Sequence, residues 1–322
     1  MLLLFYHVPP FFASKFLKMK FIRNIFTKMF AFLSALCYNK LNYNQIGGDG
    51  MHADLHTHSC YSFDGAPEAT LTSLCETAIA KGLSHLAVTD HCDINGEIEG
   101  IYAILDKDAV FDAVSKAKKT YADRLTLLFG VELGQAYQYP KQARALLERY
   151  PYDIVLGSLH NLRGEQDFYY MDYSALTDAQ IAALFDRALD ETMELLDFDG
   201  IHVLTHLTYM HRYVRRGGKD IDFTPFWGKL TALLDKLIKK GVALELNTSA
   251  LLPQRGGVLS PTKEILALYR ARGGRLISLG SDAHAPHTVA QHFDTAKKVL
   301  LDCGFTELAV PTRSGILTLP IS

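Results

Sequence analysis

The chain has 322 residues, 48% hydrophobic and 21% charged, an ordinary globular balance with enough length for a sizeable core. Its formal net charge of −2 carries no global basic field, so nucleic acid is not an expected partner. The five cysteines include no Cys-x-x-Cys pair and are odd in number, which argues against a disulfide framework and fits a reducing cytoplasm.

Residues 1–50 differ in character from residues 51–322. Apolar and aromatic runs alternate with lysines and with Pro9-Pro10, and no acidic residue precedes Asp49. No uninterrupted apolar run approaches the ~20 residues a spanning helix needs, so stable membrane insertion is not expected. A membrane-surface segment and an atypical targeting sequence are two readings. The preferred one makes Met51 the natural start and residues 1–50 an extension outside the fold, because a compact pattern begins abruptly there. The domain is then 51–322.

From residue 51 onward, short apolar runs alternate with longer amphipathic ones. The pattern predicts strands over 53–57, 85–89, 126–132, 153–158, 201–205, 242–247 and 276–280. It predicts helices over 67–81, 107–122, 141–149, 178–196, 223–240, 262–272 and 288–303. Pro67 suits a first helical turn, and Thr177-Asp178 and Ser260-Pro261 suit helix starts. Gly82, Gly241 and Gly273 stand where left-handed caps should end helices. Repeated β-then-α units imply a parallel sheet, either doubly wound or closed into a barrel. No glycine-rich phosphate fingerprint comes after the first strand.

The chemistry sits at the strand ends. In chain order they carry His56 and His58 with Asp64 beyond, His91, Glu132, His160, His206, then Asp282 and His284. Side chains two apart on a strand share a face, so His56 with His58, and Asp282 with His284, can grip one ion. Parallel strands in a barrel bring all C-terminal ends to one mouth, where active sites lie. Imidazoles and carboxylates without cysteine suit Zn²⁺, Mn²⁺ or Fe²⁺. Nine ligand candidates exceed what one ion takes, which points to two or three. Such clusters suit phosphoester hydrolysis. Asp90 and Glu245 are candidates for orienting the imidazoles.

The runs Asp54-Leu55-His56-Thr57-His58-Ser59, Asp64-Gly65, Thr89-Asp90-His91, Gly130-Val131-Glu132, Gly157-Ser158-Leu159-His160, Thr205-His206 and Gly280-Ser281-Asp282-Ala283-His284 together resemble the PHP (polymerase and histidinol phosphatase) superfamily. The resemblance implies a distorted seven-stranded (β/α) barrel, TIM-like, with a trinuclear metal site at the C-terminal strand ends. It implies Glu132 as the bridging carboxylate and the other eight candidates as further ligands. Some members have His where this chain has Asp64. The size, His91-Cys92-Asp93, Val131-Glu132-Leu133-Gly134, Arg212-Tyr213 and Glu245-Leu246-Asn247-Thr248-Ser249 resemble the monofunctional histidinol-phosphatases. These hydrolyse L-histidinol phosphate to L-histidinol and phosphate in histidine biosynthesis.

The expected function is therefore a metal-dependent phosphomonoesterase acting on a small phosphate ester. Glu132, His206 and Asp282 are the expected catalytic residues, with His206 or Asp282 as the proton donor to the leaving alkoxide. Arg212, Arg163 and Arg255 are the expected phosphate-binding arginines. Tyr169, Tyr170 and Asp172, together with Tyr137 and Tyr139, read as a lid or packing surface, or as stacking and charge for a cationic substrate. A nucleotide or oligonucleotide phosphoesterase of the same fold is the alternative function. A non-catalytic metal-bound module is the third; it predicts lost ligands, and none are lost.

Overall fold

The computed structural model describes residues 53–321, so the expected extension over residues 1–50 lies outside the described residues. Seven strands run parallel in an order that matches the chain: β1 (Ala53–Asp54), β2 (His85–Val88), β4 (Thr126–Gly134), β5 (Ile154–Ser158), β6 (Val203–Leu204), β7 (Ala243–Asn247) and β8 (Ile277–Gly280). A short eighth strand, β3 (His91–Asp93), continues past β2 and pairs with the second half of β4.

The sheet nearly closes on itself between β8 and β1. The amide of Leu55 donates to Leu279 O at 3.0 Å, that of Asp282 to His56 O at 2.8 Å, and that of His58 to Ala283 O at 2.8 Å. The expected barrel is therefore the one that forms, and the doubly wound alternative is not. Its interior is filled by alternate side chains of successive strands: Ala53, Leu55, Ala87, Leu128, Ile154, Leu156, Val203 and Ala243. Val310 joins that cluster from the antiparallel hairpin β9 (Glu307–Thr312) and β10 (Gly315–Pro320), near the starts of the strands. This hairpin was not among the expected elements.

The outer layer consists of amphipathic helices: α1 (Leu71–Ala80), α3 (Lys107–Tyr121), α4 (Pro140–Arg149), α5 (Asp178–Leu195), α7 (Trp227–Lys240), α8 (Lys263–Ala271) and α9 (Phe293–Asp302). In α7 the apolar face is Leu230, Leu233, Leu234 and Leu237, all buried at helical spacing. The capping box at Thr177 and Gln180 starts α5 as expected. Gly82, Gly241 and Gly273 adopt positive φ, also as expected.

Several boundaries differ, each for a local reason. Pro67 does not open α1: the helix begins at Leu71, where the Thr70 hydroxyl accepts from Ser73 N. Helix α8 starts at Lys263 with Thr262 as its cap, while Ser260 bridges back to Asn247. The stretch 223–240 opens with a 3-10 turn at Thr224–Phe226 before α7. Helix α9 starts only at Phe293, because His292 is left-handed (φ 58°). Two short helices were not expected: α2 (Ile94–Glu99) and α6 (Tyr209–Arg216).

Candidate metal centre

The C-terminal ends of the strands open into one cavity of about 600 Å³. Glu132 stands at its floor, on the inward face of β4 and fully buried. Its Oε1 lies 3.0 Å from both His160 Nε2 and His206 Nε2. Its Oε2 lies 2.9 Å from His91 Nδ1, 3.2 Å from His56 Nε2 and 3.5 Å from His58 Nε2. Asp282 Oδ1 lies 3.3 Å from His58 Nε2 and 3.8 Å from His56 Nε2. Asp64 reaches in from its loop, with Oδ2 2.9 Å from His284 Nε2 and 3.5 Å from His91 Nε2. All nine residues proposed from the sequence thus converge on one place.

Four overlapping sets of donor atoms could each hold an ion: His58, Asp64, His91 and His284; His56, His58 and Asp282; His56, Glu132 and His206; His91, Asp93 and His160. The fit is tested by what the protein leaves unpaired. His56 Nε2, both ring nitrogens of His58, His91 Nδ1 and Glu132 Oε2 are buried without a hydrogen-bond partner. Each such atom costs about 1–3 kcal/mol. Shared nitrogen and oxygen donors around one carboxylate fit divalent cations of the zinc, manganese or iron type.

The electrostatics point the same way. Burial, reinforced by the neighbouring His284 and His91, pushes His58 down to about 3, so its ring is neutral. For His160, burial is outweighed by Asp93 and Glu132, which raise it to about 10. His56 and His91 are raised in the same way, against burial, by Glu132 together with Glu245 or Asp64. Glu132 and Asp282 stay ionised because the imidazolium charges, His56 foremost, overcome their burial. Protons on these imidazoles supply positive charge that bound cations would otherwise supply.

Outer contacts aim the rings. The Nδ1–H of His56 donates to Glu245 Oε1 at 2.7 Å, which leaves Nε2 facing Glu132. Gly280 permits this approach: a Cβ there would lie 2.1 Å from Glu245 Oε1 and 2.6 Å from His56 Cβ. Asp90 does not orient an imidazole. It accepts from the Ser59 amide at 2.5 Å and the Ser59 hydroxyl at 2.7 Å, and so braces the loop after His58. Asp93 was not among the candidates, yet its Oδ1 accepts from His160 Nδ1 at 2.7 Å. It is two residues past His91 on β3, so the same-face argument applied to His56 and His58 reaches it. Gly134 makes room for it, since a Cβ at that position would lie 2.0 Å from Asp93 Oδ1.

The three arginines fare differently. Arg212, on α6, is buried, with Nη1 2.9 Å from Ser249 Oγ and 3.4 Å from Asp282 Oδ2. Its Nε and Nη2 have no partner, and it lines the cavity. Arg255 also lines it. Arg163 is not among the lining residues: its guanidinium pairs with Glu194 of α5 at 3.0 Å and lies over the Tyr137 ring, held there by a helix-surface carboxylate. Arg216 lines the cavity and was missed. With Tyr209, Arg212 and Tyr213 it obeys the i, i+3, i+4, i+7 rule on α6, which the sequence does display.

Tyr169 and Tyr170 line the cavity, but Asp172 does not; its carboxylate accepts from the Ser174 amide and hydroxyl on the surface. Tyr137 and Tyr139 bond Glu191 and Glu99 instead of facing the cavity. The acid that this loop contributes to the wall is Asp167, which no sequence signal marked.

A family model described as PHP domain matches residues 54–249. The chain is 23% identical over 250 residues to a probable histidinol-phosphatase of Clostridium acetobutylicum, covering 78% of this chain and 93% of that one. It is 26% identical over 266 residues to a histidinol-phosphatase of Lactococcus lactis subsp. lactis, covering 82% and 94%. A crystal structure of histidinol phosphate phosphatase from Lactococcus lactis subsp. lactis, complexed with zinc, L-histidinol and phosphate, superposes with a TM-score of 0.69. It has 23% identity and covers 83% of this chain and 98% of that one. This likeness supports the barrel fold.

Proposed function

We propose that this chain, which belongs to the PHP domain family, is a metal-dependent phosphomonoesterase that hydrolyses L-histidinol phosphate to L-histidinol and phosphate. The observation that carries the reading is the set of unpaired buried donor atoms around Glu132, at the floor of a cavity lined by Arg212 and Arg255. The substrate is inferred from relatives named histidinol-phosphatases, whose length the chain matches almost fully.

His56, His58, Asp64, His91, Glu132, His160, His206, Asp282 and His284, with Asp93 beside His160, would hold two or three divalent ions of zinc, manganese or iron. When bound, such ions supply Lewis acidity and make water a stronger acid. The chain's own residues do the rest. Arg212 would offer the phosphoryl oxygens a planar guanidinium whose Nε and Nη2 have no hydrogen-bond partner in the protein. Arg255 lies on the same cavity wall and adds a second cation. Asp282, which accepts from Ser249 Oγ–H at 3.0 Å, would take the proton of the attacking water and return it to the leaving oxygen. His206 is kept neutral by burial, which suits a ligand better than an acid.

We also place the enzyme in the cytoplasm: Cys75 and Cys92 are buried free thiols, and Cys60 and Cys303 are free as well. Among the described residues no helix is long and apolar enough to cross a membrane. The oligonucleotide alternative finds less support, because the cavity wall mixes acids with arginines where a nucleic-acid groove is basic throughout.

The test is phosphate release from L-histidinol phosphate, against a nucleotide panel and an aryl phosphate. Turnover should require Zn²⁺, Mn²⁺ or Fe²⁺ and should favour histidinol phosphate. Activity confined to nucleotides would overturn the substrate. Full activity after complete metal removal, or wild-type turnover and metal content in both His160→Ala and Glu132→Ala, would overturn the site.

A further inference from the structure

The cavity wall holds one carboxylate that belongs to none of the sets able to hold an ion. Asp167 lies on the loop after β5 and lines the cavity together with Phe63, Tyr102, Tyr169 and Tyr170. Its Oδ1 accepts from the Tyr169 amide at 2.7 Å and its Oδ2 from the Tyr102 hydroxyl at 3.1 Å. Those two bonds fix the carboxylate and leave about half of its acceptor positions open. Among the described residues no lysine, arginine or histidine makes an ion pair with it. The Phe63 and Tyr102 rings stack with centroids 4.9 Å apart and planes nearly parallel, at 5°, beside it. The arginines of the same cavity, Arg212, Arg216 and Arg255, come from α6 and the turn at Pro253–Arg255.

A fixed, unpaired carboxylate among aromatic faces suits an organic cation. The arginines suit an anion. We infer that Asp167 is a specificity-determining residue: it receives the protonated amine of the alcohol being released, so the site selects phosphate monoesters whose leaving alcohol carries an ammonium group. This rests on the phosphomonoesterase reading above and names the feature of the substrate that the wall recognises. The aromatic faces hold the carbon skeleton of that alcohol, and Asp167 sets its direction.

Two measurements keep the inference separate from the reading it rests on. The first is calorimetric binding of L-histidinol and of its des-amino analogue to the metal-loaded protein, in the presence of inorganic phosphate; it needs no turnover. The wild type should bind the amine about tenfold or more tightly than the analogue, and Asp167→Asn should bring that ratio close to one. The second is kcat/KM for L-histidinol phosphate over its des-amino ester, whose ratio should fall about tenfold to a hundredfold in Asp167→Asn. Asp167→Glu should restore part of it. A wild-type binding ratio near one would overturn the inference without reference to any variant. So would an Asp167→Asn protein that has full metal content and keeps the wild-type ratio. Absence of turnover on every phosphate ester, with the binding ratio intact, would instead overturn the phosphatase reading alone.

Discussion

Replacing Gly280 by alanine tests the proposed metal centre without replacing any of its ligands. A Cβ at that position would lie 2.1 Å from Glu245 Oε1 and 2.6 Å from His56 Cβ, where real Cβ contacts stay above about 3 Å. Glu245 must therefore retreat by about 1 Å, and the His56 backbone limits relief on the other side, since His56 O accepts from the Asp282 amide at 2.8 Å. A 2.7 Å bond from His56 to Glu245 lengthened by about 1 Å is no longer a hydrogen bond. Glu245 Oε2 also accepts from the His206 amide at 2.8 Å, so the same displacement disturbs a second candidate ligand. Loss of a buried charged hydrogen bond, with its partners left unsatisfied, costs about 2–4 kcal/mol. That corresponds to a fall in Tm of roughly 5–10 °C for a domain of this size. Disturbing a ring-orienting contact costs about 10–100-fold in metal affinity. The assay is metal content after dialysis against a graded chelator, with thermal unfolding of the metal-loaded protein. Gly228→Ala, on α7 with no atom near its would-be Cβ, is the control and should be neutral or stabilising by up to about 1 kcal/mol. A Gly280→Ala protein with wild-type metal affinity and a Tm within about 1 °C would refute the argument that Glu245 aims His56.

Three further outcomes are expected. Arg212→Lys should lower kcat/KM by about a hundredfold, because a buried point charge cannot replace a planar fork, while Arg163→Ala should change it by less than about threefold, as its partner is Glu194; equal effects would reverse the assignment. His202 accepts from the Val155 amide through Nδ1 at 2.9 Å, and burial lowers its pKa. Its folded pKa lies below the unfolded value of about 6.5, so its contribution to stability is present above that pH and is lost as pH falls through it. Between pH 7.5 and pH 5, Tm should therefore drop more steeply in the wild type than in His202→Asn, which keeps an acceptor but does not titrate; parallel curves would contradict this. A chain beginning at Met51 should fold and keep full activity, and an insoluble or inactive product would show that residues 1–50 belong to the working enzyme.

The primary chemistry was legible because it obeys local rules. On a strand, residues two apart share a face whatever the rest of the molecule does, so His56 with His58 and Asp282 with His284 are visible as pairs. Parallel strands then carry every strand end to the same side, and nine residues spread from position 56 to 284 meet around Glu132. Asp93 obeys the same rule and was legible in principle, as was the Tyr209, Arg212, Tyr213 and Arg216 face of α6.

Other features depend on which strand neighbours which and on how loops fall, and no local period encodes that. The closure of β8 on β1 sets His56 against Glu245, 189 positions away, and requires a glycine at 280. Arg163 lies outside the cavity that Arg212 lines because its partner is a carboxylate on a neighbouring helix, and an arginine goes where its partner lies. Asp167 and Asp172 are five residues apart on one loop, with equal chemistry in the sequence. Only the path of that loop puts the first beside Tyr102 at the cavity wall and turns the second onto Ser174 at the surface, because a loop's direction is set by what it packs against and not by any repeat in its own residues.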